Sequence, residues 1–283
     1  MKQKNLSTEH YKSSKDSFKW TKLLAYTPSI GEDRSNALEH AVINAHNLTK
    51  FYGEYCAVNN VNFTVPRGST VGLLGSNGAG KTTTIAMIMG LVTPTSGRVS
   101  VLGQDMFSKG HRVLKKMNFQ SPYVAMPAQL TIRENLNVFG RLYGVKELKS
   151  RIDTLVDEFD LSELLNLQTG SLSAGQKTRV SLAKALINNP EVLLLDEPTA
   201  SLDPDRAQWV RQLLRDYQKK HQATILLSSH NMLEVEQLCD HVVIMSYGRV
   251  IKLGKPNELM KLYECTNFAD VFFSIMHTTE NWA

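Results

Sequence analysis

The run Gly75-Ser76-Asn77-Gly78-Ala79-Gly80-Lys81-Thr82 has the spacing GxxxxGK[ST], between an apolar strand candidate, 70–74, and a helical stretch, 83–89. A polyphosphate needs many hydrogen-bond donors at short range. Glycines let backbone N–H groups turn inward, and the start of the following helix adds its positive dipole end. In that setting residues Gly75 to Thr83 are the expected nucleotide contacts, with Lys81 bridging the β- and γ-phosphates. The Thr82 hydroxyl suits Mg2+, which takes hard oxygen ligands. Further along, Val192 to Leu195 is a continuous apolar run, as in a parallel strand buried on both faces, and it ends in Asp196-Glu197. Two carboxylates at the end of such a strand are costly unless used. Asp196 is the expected Mg2+ holder through its water shell, and Glu197 the group that polarises water attacking a γ-phosphate. A second strand-like run, 223–229, ends at His230, at the carboxyl edge where α/β sheets bind ligands. Its imidazole reads as a γ-phosphate contact or as a cap on the next helix.

Short apolar strand candidates at 42–48, 58–65, 70–74, 192–195, 223–228 and 242–245 interleave with helical stretches, which implies an α/β architecture. Between residues 131 and 189 helical patterns follow one another without a convincing strand, so an inserted helical subdomain is expected at about 121–190. Residues 1–40 are polar and without sustained period, and residues 1–22 hold six lysines against Glu9 and Asp16. They read as a flexible basic extension, with a short amphipathic patch (Phe18, Trp20, Leu23, Leu24, Tyr26) as a lipid-touching alternative. Ordered structure is expected from about Ala41, with a short tail at 263–283.

The 283 residues are 42% hydrophobic and 21% charged, with a net charge of +5, a balance that gives no support to a nucleic-acid binder. Cys56, Cys239 and Cys265 lie far apart and form no CxxC pair, which excludes a zinc-ribbon or disulfide framework and fits a reducing compartment. No apolar run approaches the ~18–20 residues of a membrane-spanning helix, so any crossing of a membrane falls to a partner.

Leu172-Ser173-Ala174-Gly175-Gln176 resembles the LSGGQ signature of the ATP-binding-cassette (ABC) family, and the match continues through Asp196-Glu197-Pro198-Thr199 and Ser201-Leu202-Asp203. It covers residues 42–262. The resemblance implies an α/β fold, a P-loop NTPase (RecA-like) core with an antiparallel β subdomain and an inserted α-helical subdomain. It also implies residue roles. Tyr52 looks like the aromatic that stacks on adenine, with Phe51 and Tyr55 as alternatives; Gln120 resembles the glutamine that touches Mg2+ and senses the γ-phosphate; His230 matches the switch histidine. In this family two subunits meet head to tail, so Ser173, Gly175 and Gln176 act on ATP held by the other subunit, with Asp203 at the same boundary. Ser76 stands where proline is frequent, and Ala174 replaces the signature's first glycine.

The expected machine is an ATPase subunit of a transporter, working with a second ABC subunit and a membrane-spanning permease, peripheral on the cytoplasmic face of the inner membrane. Residues 120–143 resemble the coupling region, and the tail, with Phe268-Ala269-Asp270-Val271-Phe272, is similar to exporter-type subunits. The alternative is a soluble ABC ATPase acting on a ribosome or nucleic acid. Such proteins carry two cassettes or a long coiled coil between loop and signature, whereas Lys81 and Ser173 are 92 positions apart without a heptad run.

Overall fold

The computed structural model describes residues 41–121, 125–200 and 202–280. The extension expected at 1–40, with its amphipathic patch, and Ser201 of the Ser201-Leu202-Asp203 loop lie outside the described residues.

The first strands, β1 (Ala41–Tyr52) and β2 (Tyr55–Pro66), form an antiparallel hairpin in which Tyr52 pairs with Tyr55. With β4 (Ser96–Val101) and β5 (Gln104–Asp105) they make a four-stranded sheet of order β2-β1-β4-β5. The second sheet has order β10-β9-β3-β8-β7-β6, built from β3 (Thr70–Leu74), β6 (Met117–Gln120), β7 (Val192–Asp196), β8 (Thr224–Ser229), β9 (His241–Ser246) and β10 (Arg249–Gly254). Its pairs are parallel except for β10, which runs antiparallel to β9 at the edge.

The strands of this second sheet read as unbroken apolar runs because each face meets its own core. Along β7, Val192 and Leu194 point into one cluster and Leu193 and Leu195 into the other; β9 alternates in the same way, with Val243 and Met245 against Val242 and Ile244. The first cluster joins the sheet to α1 (Lys81–Ile88) and the antiparallel sheet. The second joins it to α2 (Ile132–Leu142), α3 (Leu148–Glu158), α4 (Ala174–Ala185), α5 (Pro204–His221), α6 (Met232–Leu238), α7 (Pro256–Leu262) and α8 (Phe268–Glu280).

Between β6 and β7 the chain forms α2, α3, α4 and short 3-10 turns. The segment 263–283 contributes α8, whose Phe268, Val271 and Ile275 are buried in the larger core. Among the described residues no helix is long and apolar enough to cross a membrane.

Candidate nucleotide site

After β3 the chain turns through Gly75 at φ 154°. A Cβ there would lie 2.4 Å from the Met245 carbonyl oxygen and 2.8 Å from the Ala79 Cβ, so no side chain fits. At Gly80, φ 95°, a Cβ would lie 2.6 Å from the Ala57 carbonyl oxygen. The loop is thus wedged between the end of β9 and the start of β2, and its path is fixed by backbone on both sides. At Gly78, φ 81°, by contrast, a Cβ would meet nothing within 4 Å, and this part of the loop faces open space.

The helix that follows has no side-chain cap and no acidic residue in its first turn. The starts of α2, α4, α5 and α6 are instead closed by Thr131, Ser173, Asp203 and Asn231, each accepting from a backbone N–H one turn in. A helix start left open presents its unused donors and its partial positive charge to an anion. Lys81 lies beside it, buried, with Nζ donating to the carbonyls of Gly75 (2.8 Å) and Ser76 (3.1 Å). Burial lowers the pKa of its ammonium, and the Glu197 and Asp196 carboxylates push it back up.

Asp196 is buried at the end of β7, and its carboxylate is oriented by one hydroxyl from β8 and one from just beyond β6. Ser228 Oγ donates to Oδ1 and Ser121 Oγ to Oδ2, the latter at 3.5 Å. Ser228 is the residue opposite Asp196 in the β7–β8 register. Glu197 adopts φ 51°, a left-handed conformation that a non-glycine residue takes only when its surroundings impose it. Its N–H donates to the carbonyl (3.1 Å) and hydroxyl (3.2 Å) of Ser228, which hold that turn. The Glu197 carboxylate then leaves the sheet edge and meets His230 Nδ1 at 3.0 Å, with its side chain 17% exposed against 64% for the imidazole.

Lys81, Asp196 and Glu197 share one cavity of about 240 Å3, lined also by Tyr52, Tyr55, Ala57 and the rest of residues 77–83, and His230 stands outside that lining. Both hairpin tyrosines line it and Phe51 does not. Lys50 Nζ lies 5.1 Å from the centre of the Tyr52 ring and donates to the Thr93 carbonyl, which steadies the aromatic wall. Gly75 and Ser76 contribute indirectly, through the carbonyls that seat Lys81.

The family model of the ABC transporter matches residues 58–200. The chain belongs to the ABC transporter family. Among its relatives, the Nod factor export ATP-binding protein I of Rhizobium meliloti is 37% identical over 235 residues, covering 82% of this chain and 70% of that protein. The bacitracin transport ATP-binding protein BcrA of Bacillus licheniformis is 38% identical over 211 residues, or 75% of this chain and 69% of that one. Among solved structures, an ATP-binding subunit of an ABC transporter superposes with a TM-score of 0.77 at 28% identity, covering 83% of this chain and 99% of that one. A dimeric post-hydrolysis ATP-binding cassette bound to ADP and Pi superposes with a TM-score of 0.69 at 26% identity, covering 75% and 98%. This ABC subunit therefore has the P-loop NTPase fold, binds ATP and hydrolyses it.

The remaining sequence-predicted residues of this ABC chain lie elsewhere. Gln120 pairs in register with Leu195, one position before Asp196, yet it lines a separate cleft with Met126, Ala174, Lys177 and Ala200. It is buried, and its Oε1 has no hydrogen-bond partner among the described residues. Ser173 and Gln176 close on each other in a capping box: the Ser173 N–H donates to Gln176 Oε1 at 2.8 Å and the Gln176 N–H to Ser173 Oγ at 3.3 Å. Gly175 is covered by the Arg206 side chain, and Asp203 caps α5 by accepting from the Arg206 N–H at 3.0 Å. None of these residues lines the cavity that holds Lys81.

Ser228 and Ser121 went unsingled in the sequence, since a serine near a strand end is ordinary there. The pairing of β8 with β7 is what sets Ser228 opposite Asp196.

Proposed function

We propose that this ABC subunit hydrolyses ATP at a composite site, half from its own cavity and half from the signature of a second ABC subunit, and that the cycle drives export through a separate membrane-spanning permease. The observation that carries this reading is that the cavity lined by Tyr52, Lys81, Asp196 and Glu197 contains no residue of Leu172 to Gln176. One chain supplies one half of a nucleotide's surroundings. The dimeric cassette bound to ADP and Pi supports a paired arrangement.

Within the site, Tyr52 and Tyr55 offer flat faces to an adenine, and the backbone N–H groups of residues 78–83 surround the phosphates with Lys81. Glu197, held away from the sheet by its left-handed turn, accepts a hydrogen bond from the attacking water. His230, 3.0 Å from Glu197, holds that carboxylate in place and faces the γ-phosphate.

The oxygen donors Thr82, Asp196 and Gln120 fit Mg2+. A buried carboxylate, an exposed hydroxyl and an amide oxygen with no other partner are hard ligands of the kind that ion takes. Bound Mg2+ would neutralise charge on the β- and γ-phosphates. Bringing Gln120 to it requires its cleft, which also holds Ala174 and Lys177 of the signature helix, to move toward the phosphate loop. Closure on ATP would therefore shift the helical segment, and the 120–143 region would pass that movement to the permease. Ser173, Gly175, Gln176 and Asp203 serve the partner's ATP. The subunit then sits peripherally on the cytoplasmic face of the membrane; the export names of its relatives support the direction.

Glu197→Gln should retain ATP binding, lose turnover and run as an ATP-dependent dimer on size exclusion. A monomer with unchanged turnover overturns the role of Glu197. Purification of native protein should bring down a membrane-spanning partner; sedimentation with ribosomes or DNA, without a membrane protein, overturns the transporter reading.

A further inference from the structure

Glu234, in the first turn of α6, is 1% exposed and takes no part in the nucleotide cavity. A buried carboxylate is costly unless it is paired and hydrogen-bonded. Thr199 Oγ1 donates to its Oε1 at 3.0 Å. Burial raises its pKa, opposed by the Ser229 and Thr199 hydroxyls and electrostatically by Arg211 and His230. Arg211, on α5, is itself buried and uses Nη2 on Gln208 (2.9 Å), while its Nε has no hydrogen-bond partner among the described residues.

The places these partners occupy in the chain give the arrangement its meaning. Thr199 lies two residues after Glu197, in the turn where the Ala200 N–H donates back to the Glu197 carbonyl at 3.1 Å. Ser229 directly precedes His230, and Arg211 sits two turns into the helix that Asp203 begins. Through Thr199 this side chain holds the turn that carries Glu197, while its helix directly follows the His230 turn and packs on the helix that starts at Asp203. The Glu197–His230 contact joins a largely covered carboxylate and an exposed imidazole on different loops, beyond the paired residues of β7 and β8.

We propose that Glu234 is a positioning residue for hydrolysis: through the Thr199 hydroxyl it fixes the turn after Glu197 against the His230 turn and the start of α5, and so sets where the attacking water stands. This rests on the reading of Glu197 given above. A displacement on the order of 1 Å at a reacting group costs up to about 100-fold in rate, which is the range available to such a hold.

Thr199→Val keeps the volume and removes the hydroxyl. It should lower kcat about 10-fold and leave the KM for ATP within about twofold, since neither residue touches the phosphate loop. Thr199→Ser, which keeps the hydroxyl and removes the methyl, should restore kcat to within about twofold even though it loses packing and melts lower. Glu234→Ala should show the same split, and adding Thr199→Val to it should lower kcat no further. Wild-type kcat in Thr199→Val, a KM that rises as kcat falls, rates that follow melting temperature instead of the hydroxyl, or losses that multiply would each overturn the proposal. If Glu234→Ala does not fold, the Thr199 pair decides alone. The two readings separate in Glu197→Gln: turnover there defeats the role of Glu197, while an inactive Glu197→Gln beside a fully active Thr199→Val defeats only the role of Glu234.

Discussion

The phosphate loop and the signature both bring glycines to a helix start, but the chain leaves the first start uncapped and closes the second with its own side chains. Before α1, Gly75 and Gly80 are pinned by the carbonyls of Met245 and Ala57, and the helix start carries no side-chain cap. Before α4, Ser173 and Gln176 satisfy each other, and Gly175 has an ordinary backbone conformation in contact with the mobile end of Arg206. The first arrangement holds donors ready for a ligand inside the chain at the cost of local capping. The second is stable alone, and because Ser173 Oγ accepts from Gln176, its own proton is left to donate outward. The difference is that between a site that must exist before ATP arrives and a face that need only be rigid and exposed.

The comparison can be broken most sharply at Lys81. Lys81→Ala should reduce kcat/KM about 1000-fold and remove measurable ATP binding, since it deletes the one cation in the cavity's lining; binding that survives would show that the open helix start suffices without it. Gly75→Ala should cost about 3 kcal/mol in unfolding free energy, because its Cβ meets a backbone carbonyl that cannot swing away. Chemical denaturation checks this. Ser173→Ala should remove a cap worth about 1 kcal/mol while ATP binding to the isolated subunit stays unchanged; a fall in binding would place the signature in the chain's own site. The smallest effect belongs to Gly175→Ala, below about 1 kcal/mol, since the clash there is with a guanidinium that can turn aside. A loss equal to that of Gly75→Ala would erase the distinction between the two glycine turns.

How much was legible in the sequence follows the range of the interactions. Residues 75–82 act through contiguous backbone, so their spacing alone announced a phosphate cradle, and the apolar run before Asp196-Glu197 announced a strand buried on both faces. The strands β4 (Ser96–Val101) and β10 (Arg249–Gly254) escaped notice because they are less buried and lack an unbroken apolar run, and β10 is an edge strand. The tail at 263–283 looked separate, yet Phe268, Val271 and Ile275 face one side of a helix and enter the main core. The sequence put Tyr52 first, with Phe51 and Tyr55 as alternatives, and the Tyr52–Tyr55 hairpin pair places both tyrosines at the cavity.

Local order in the chain thus determined the chemistry: a glycine loop with Lys81, a carboxylate pair at a strand end, a histidine at the next strand end and a single signature. Only the tertiary structure decided which of these meet. The parallel pairing of β7 with β8 puts Ser228 on Asp196, the loops just beyond those strands bring Glu197 to His230, Gln120 at the end of β6 opens on a separate cleft, and Ser173 starts α4 in the helical segment. Those distances depend on strand register and on cores formed by residues far apart in the chain, and no short motif encodes them.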